Sequence, residues 1–309
     1  MIEVEGLSKR YGDLVALDGV SFTVRRGEIF GLLGPNGAGK STAIGCISGL
    51  LPPSGGRVKV LGRDVHVEGA KARAPLGVVP QDLALYEELP AQENVSFWAS
   101  VYGLRGAERE RRVREVLESV GLADRAKEAV SRYSGGMKRR LNFACGIVHR
   151  PEVLLLDEPT AGVDPQSRVR LLDLVRAQVA AGTCVLYTTH YMEEAEALCD
   201  RLAIIDHGRV IAQGSLAELR GLLGEADVVR FSGRFEPESV RGALSGLEGV
   251  EIVQAETDGV RLAVQDASRK LPALFGALAG ADADVRETTL TQPNLESLFI
   301  KLTGKELRE

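Results

Sequence analysis

The sequence predicts an α/β fold with a mixed sheet at its core, followed by a small α+β domain. Three features point there. Glu28–Leu33 reads as a short buried strand, Gly34–Thr42 as a glycine-rich loop, and Ser41–Leu50 as a helix with Ile44, Ile47 and Leu50 at helical spacing. Val153–Leu156 and Cys184–Tyr187 are unbroken apolar runs, the pattern of strands covered on both faces of a parallel sheet. Past about residue 222, strand and helix patterns follow the order β-α-β-β-α-β, that of a ferredoxin-like sandwich.

Bulk properties bound the function. A chain of 309 residues is long enough for two domains, with a net charge of −5 and therefore no broad electrostatic case for nucleic acid as a partner. No apolar run approaches the ~20 residues that cross a bilayer. Met1–Glu5 lacks a basic and then apolar leader, so no signal peptide is expected. Cys46, Cys145, Cys184 and Cys199 form no C-x-x-C pair and read as structural thiols in a reducing compartment.

In chain order, Ile2, Val4, Val20, Phe22 and Val24 alternate as in a small antiparallel sheet before the loop. Pro52–Gly56 is a turn, and Arg57–Val60 and Gly77–Val79 are strands. Helical spacing dominates 91–145, with Val113, Val116, Leu117 and Val120 as one stripe and Glu108–Arg114 as a solvated face. Trp98 is expected to pack in a core with Val95 and Val101. Ser134-Gly135-Gly136 opens another helix. Asp164-Pro165 starts the next, with a capping carboxylate and proline at its first position. Leu202–Ile205 and Arg209–Ala212 form a hairpin around His207-Gly208, and Ser215–Glu218 is a capping box. The junction to the second domain is expected at Gly221–Asp227, giving domains over 1–220 and 225–309.

The loop carries the chemistry. Gly34 to Thr42 fits G-x-x-x-x-G-K-[ST], in which backbone N–H groups form a nest for phosphate oxygens. Asn36, Gly37, Ala38, Gly39 and Thr42 belong to that nest, Lys40 can reach the β- and γ-phosphates, and Ser41 can ligate Mg²⁺. Asp157 and Glu158 end an apolar strand, where α/β proteins place their ligands. Asp157 suits Mg²⁺ through water, and Glu158 suits a general base for an attacking water. His190 ends a neighbouring strand and could hydrogen-bond the γ-phosphate. Gln81 could reach both Mg²⁺ and water. Tyr11 could stack on an adenine base.

These positions, taken in order, resemble the nucleotide-binding domain of ATP-binding-cassette (ABC) proteins. Tyr11 matches the adenine-stacking loop, Gly34–Thr42 Walker A, and Gln81 the Q-loop. Ser134-Gly135-Gly136-Met137 matches the signature, Leu154–Glu158 Walker B, Ala161–Asp164 the D-loop, and His190 the switch histidine. The signature departs from its commonest form, with Tyr133 for Leu and Met137 for Gln. The resemblance covers roughly residues 1–220. It implies a P-loop ATPase cassette: a mixed-sheet core, a small antiparallel β-subdomain and a helical signature subdomain. ATP and Mg²⁺ are the implied ligands.

Tyr133–Leu141, Thr189–Glu196 and the tail Leu295–Gly304 further resemble the ATPase subunits of daunorubicin-type drug exporters and nodulation-factor exporters. Export powered through a separate membrane permease is then the expected function, on the cytoplasmic face of the membrane. A soluble ABC ATPase acting on ribosomes or DNA, and an importer ATPase with a regulatory tail, are the alternatives. A head-to-tail dimer is expected, because Ser134 lies at a helix N-terminus, an anion site, and the P-loop already supplies one. Ser134, Gly135 and Gly136 would then bind the partner's ATP. Leu83–Tyr86 is expected to form a groove for the permease. Pro293–Leu302 reads as a terminal helix, and its stripe Leu295, Leu298, Phe299 and Leu302 is expected to meet the partner chain in preference to its own sheet.

Overall fold

The computed structural model describes residues 1–222, 226–291 and 295–303. The chain divides into two compact units, Met1–Gln213 and a second beginning at Gly214.

In the first unit, β1 (Ile2–Tyr11), β2 (Leu14–Val24), β4 (Gly55–Val60) and β5 (Arg63–Asp64) form a four-stranded sheet in the order β2-β1-β4-β5. Its pairs are antiparallel, with Ile2 opposite Val24 and Val60. Alternation puts Ile2, Val4, Val20, Phe22 and Val24 on the buried face. A six-stranded sheet runs β10-β9-β3-β8-β7-β6. It comprises β3 (Ile29–Leu33), β6 (Leu76–Val79), β7 (Val153–Asp157), β8 (Cys184–Thr189), β9 (Arg201–Asp206) and β10 (Arg209–Ser215). The β9-β3-β8-β7-β6 pairings are all parallel, so their carboxyl ends line up along one edge. The two sheets share a core, in which the Phe22 and Phe30 rings stack at 5.1 Å. Every residue of β3, β7 and β8 is buried. All four cysteines are buried and free.

The helical segment contains α3 (Ala91–Val101), α4 (Gly106–Ser119) and α5 (Gly135–Ile147). Val113, Val116 and Leu117 face inward as the stripe requires. Val101 does not: it is 59% exposed, while Trp98 is half-buried with its ring edge against Phe97. The far end of α5 meets β6 backbone to backbone. A Cβ on Gly77 would stand 2.3 Å from the Gly146 carbonyl, so a side chain at Gly77 would force the two apart. The near end holds the loop after β6. Asn142 accepts from the Ala84 amide and donates to the Pro80 carbonyl, at 3.1 and 3.3 Å. Lys138 pairs with Glu87 at 2.6 Å, and Arg139 donates to the Gln81 carbonyl.

The second unit contains β11 (Asp227–Arg234), α9 (Pro237–Leu244), β12 (Val250–Ala255), β13 (Gly259–Val264), α10 (Ala267–Gly280) and β14 (Asp284–Thr291). Its sheet is antiparallel throughout, in the order β12-β13-β11-β14. Val229, Phe231, Val260, Leu262 and Val264 pack under α9 and α10. The division between units falls before α8 (Leu216–Gly221), ahead of the Gly221–Asp227 junction expected, in which 223–225 lie outside the described residues. The physical reason is that α8 packs on α11 (Leu295–Thr303), which belongs to the second unit. Ser215 and Glu218 close the expected capping box on α8.

α11 corrects one expectation. Leu295, Leu298 and Phe299 are buried within the single chain, and only Leu302 of the stripe is exposed, at 42%. Arg261 pairs with Glu296 at 3.3 Å and Lys301 with Glu251 at 3.8 Å, tying the helix to the sheet. Arg261 and Glu251 alternate with core-facing residues, so α11 lies on the face opposite α9 and α10. Periodicity showed that this helix has an apolar face, and its own chain covers that face. Pro293, expected to open the helix, lies outside the described residues.

Leu155 lies at the centre of the shared core with no exposure. Leu155→Ala should cost about 2–5 kcal/mol in urea unfolding. Val169→Ala, at a side chain 59% exposed, should stay within about 0.5 kcal/mol.

Candidate functional site

The buried strand β3 delivers the chain into the loop at Gly34, whose amide donates to the Thr189 carbonyl at 3.3 Å. A Cβ at Gly34 would lie 2.3 Å from the Ile205 carbonyl, so only glycine fits. Gly39 has φ +107°, and a Cβ there would meet the Ala16 carbonyl at 2.6 Å. Helix α1 (Lys40–Ile47) begins at once, with its positive dipole end at the loop. Lys40 is only 4% exposed: its Nζ donates to the Gly34 and Pro35 carbonyls at 2.7 and 2.9 Å and stands 2.9 Å from Glu158 Oε1.

Strand β7 carries Asp157 and Glu158 to the same edge, and both are buried. Thr188, the residue opposite Asp157 on β8, orients the pair. Its hydroxyl donates to Asp157 Oδ1 at 2.7 Å and accepts from the Glu158 amide at 3.0 Å. Glu158 has φ +42°, a left-handed conformation that costs a non-glycine residue about 1–3 kcal/mol and is held by its surroundings. That conformation sends its side chain to two partners, Lys40 on one oxygen and His190 Nδ1, at 2.9 Å, on the other.

A cleft of about 510 Å³ opens over this cluster, within the range of small-ligand sites. Asn36, Gly37, Gly39, Lys40, Ser41 and Thr42 line its floor, with Gln81 and Glu158 beside them. Tyr11 stands at the mouth, 46% exposed, with Lys9 Nζ 5.1 Å from its ring centre. His207 and Gly208 also line the cleft, a role not read from the sequence, where they form only a turn. Ser134, Gly135 and Gly136 do not line it. Ser134 caps α5 by accepting from the Met137 amide, Gly135 has open space above it, and Gly136 packs on Ser167.

The turn after Glu158 leads to α6 (Pro165–Ala180). Asp164 caps it, and the Ser167 amide holds that carboxyl below its usual range. Arg139 of α5 donates to both the Gln81 and Ala161 carbonyls, the second at 3.0 Å, joining the segments on either side of the carboxylates. Burial lowers its guanidinium from the ordinary value, and Asp82 opposes the shift.

Comparison with known proteins gives this site a family. Residues 17–161 match the ABC transporter family. The linearmycin resistance ATP-binding protein LnrL of Bacillus subtilis is 42% identical over the whole of both chains. The daunorubicin resistance ATP-binding protein DrrA3 of Streptomyces coeruleorubidus is 42% identical over 99% of this chain and 97% of its own. The chain belongs to the ABC transporter family. It is an ATP-binding subunit, and ATP hydrolysis is its activity. The Nod factor export ATP-binding protein I of Sinorhizobium fredii is 39% identical over all of this chain and 87% of its own. Among solved structures, an ATP-binding subunit of an ABC transporter superposes with TM-score 0.66 at 36% identity, covering 72% of this chain and 93% of its own. A dimeric ATP-binding cassette in a post-hydrolysis state with ADP and Pi gives 0.64 at 27% identity, covering 70% and 99%.

The oxygen donors at the cleft suit a hard divalent cation. Ser41 and Gln81 line the cleft with a hydroxyl and an amide, and Asp157 does not line it but stands buried at the end of β7 next to Glu158; no metal-holding cluster of His, Cys, Asp or Glu is found among the described residues. Few protein ligands beside substrate phosphates is the arrangement Mg²⁺ favours.

Gly39 tests the loop. Gly39→Ala forces a Cβ into the Ala16 carbonyl at a left-handed φ. Titration with a fluorescent ATP analogue should show affinity lowered at least about tenfold, because the nest depends on that turn.

Proposed function

We propose that this chain hydrolyses ATP at the Lys40–Glu158–His190 cluster to drive export through a membrane permease made as a separate chain. The observation that carries the chemistry is Glu158, buried and directed into the phosphate loop by its backbone, with His190 on its second oxygen. The loop amides and Lys40 receive the phosphates, and Tyr11 receives the base. Ser41, Asp157 and Gln81 would hold Mg²⁺, which when bound would supply positive charge against the phosphates. Glu158 accepts a proton from water as its oxygen attacks the γ-phosphorus; the bond from that phosphorus to the β-bridging oxygen breaks and ADP leaves. His190 keeps the Glu158 carboxylate in line and faces the γ-phosphate.

The signature supports a composite site. Ser134, Gly135 and Gly136 cap a helix away from their own cleft, so a second copy placed head to tail would bring them to the partner's ATP. The relatives' names, which speak of linearmycin resistance, daunorubicin resistance and Nod factor export, support export as the transport direction. The family and the relatives' names support a permease made as a separate chain, with this subunit peripheral on the cytoplasmic face; no helix among the described residues is long and apolar enough to cross a membrane. We assign residues 225–309 an accessory role, holding the dimer or regulating its opening.

The permease contact is assigned to the loop after Gln81. Leu83, Ala84 and Leu85 are half-buried, and Tyr86, Leu89 and Phe97 are 48%, 43% and 43% exposed. Tyr86 and Phe97 meet edge to face at 5.3 Å. Buried Asn94 fixes the loop by accepting from the Tyr86 amide and donating to the Tyr86 and Pro90 carbonyls.

Glu158→Gln should retain ATP binding and lose about 10²–10⁴-fold in steady-state hydrolysis. Phosphate release at the normal rate would refute the general-base role. Tyr86→Asp with Phe97→Asp should leave basal ATPase within about twofold, as exposed substitutions usually perturb stability little. The same variant should lose co-purification with the permease and ATP-driven export into membrane vesicles. Intact coupling would move the permease contact elsewhere.

A further inference from the structure

Behind His190 lies a buried carboxylate that takes no part in the steps above. Glu194, on α7 (Met192–Leu198), is 2% exposed. Tyr187 and Thr189 donate their hydroxyls to its Oε2 at 2.8 and 3.0 Å, and Arg168 Nε stands 3.3 Å from its Oε1. A buried charge group of this kind adds little stability over apolar packing of the same volume, so its contacts are better read for what they orient.

Those contacts converge on the switch histidine from both sides. Thr189 precedes it, and the same hydroxyl that reaches Glu194 accepts from the Tyr191 amide at 2.9 Å. Tyr191 follows it. The Arg168 guanidinium lies 4.4 Å from the Tyr191 ring centre, and that ring leans on the His190 ring at 4.0 Å. On the other side, the Tyr187 hydroxyl also meets Thr160 Oγ1 at 3.4 Å, two residues past Glu158. Burial, with Glu194 beside it, raises the Tyr187 phenol well above its ordinary value and keeps it a donor.

We propose that Glu194 is a positioning residue for ATP hydrolysis, clamping Thr189 and Tyr191 so that the His190 imidazole meets Glu158. This rests on His190 and Glu158 serving the reaction. Arg168 stands in the first turn of α6, directly after the D-loop, so the same carboxylate ties that helix to the histidine turn.

The test is a double-mutant cycle on the full chain, reading kcat and KM for ATP with melting temperature alongside. Glu194→Gln keeps the volume and loses the Arg168 ion pair. It should lower kcat about tenfold or more, since misplacement by about 1 Å can cost 10²-fold. KM should stay within about twofold, because ground-state binding is untouched. In the His190→Ala background the same substitution should have little further effect, as residues acting as a unit are not additive. Unchanged kcat, or an equal loss on top of His190→Ala, overturns the positioning role. His190→Ala measured alone separates the premise: normal turnover there would refute the histidine's role itself. If Glu194→Gln does not fold, Thr189→Val removes only the linking hydroxyl. A lowered kcat that is non-additive with His190→Ala supports the proposal, and a normal kcat overturns it.

Discussion

Two oppositely charged side chains, Lys40 and Glu158, sit out of water 2.9 Å apart, and the geometry of the cleft depends on that contact. Each charge offsets the other's desolvation, with the Gly34 and Pro35 carbonyls as further partners of Lys40 and His190 as that of Glu158. Removing one partner of such a pair strands the other at a cost of about 3–5 kcal/mol, far more than the pair itself adds over apolar packing. The surrounding architecture follows from keeping the two together. Parallel strands bring β3 and β7 to one edge with β8 between them. Thr188, on the intervening strand, is the residue that can reach both Asp157 and the Glu158 amide. The left-handed turn at Glu158 then directs its carboxylate into the loop instead of along the strand.

The sequence made the loop, the carboxylates and His190 legible because their chemistry is written in local spacing. Gly34 and Gly39 are required by close backbone approaches that any G-x-x-x-x-G-K-[ST] loop implies. The meeting of Lys40, Glu158 and His190 followed from parallel strands of a recognisable buried type ending at one edge. What could not be read were buried and half-buried polar residues whose partners are distant in sequence. Asn142 holds Ala84 across 58 residues, and Lys138 holds Glu87 across 51. The one available signal was an asparagine, a poor helix former, set between Leu141 and Phe143 in mid-helix. Glu194 was similarly hidden within a charged run, Glu193-Glu194-Ala195-Glu196, that looks solvated throughout.

The second unit shows a different limit. Its strand and helix pattern is regular enough that each element could be placed, and its core under α9 and α10 comes from simple alternation. Apolar spacing along α11 says that a face must be covered but not by what. The ion pairs from Arg261 and Glu251 decide in favour of its own sheet, and such pairs become visible only once strand register is known.

The packing of α5 has a mechanical consequence. Its far end is seated on β6 where two glycines let the backbones touch, and its near end carries both the Ser134 cap and, through Lys138, Arg139 and Asn142, the loop that follows Gln81. Thirteen residues make a rod of about 20 Å at 1.5 Å per residue. Pivoting such a rod by about 10° sweeps its free end through about 3 Å, one hydrogen-bond length. A push on the aromatic loop and the making or breaking of a contact at Ser134 therefore act on the same free arm of one lever, with its fulcrum at Gly77 and Gly146.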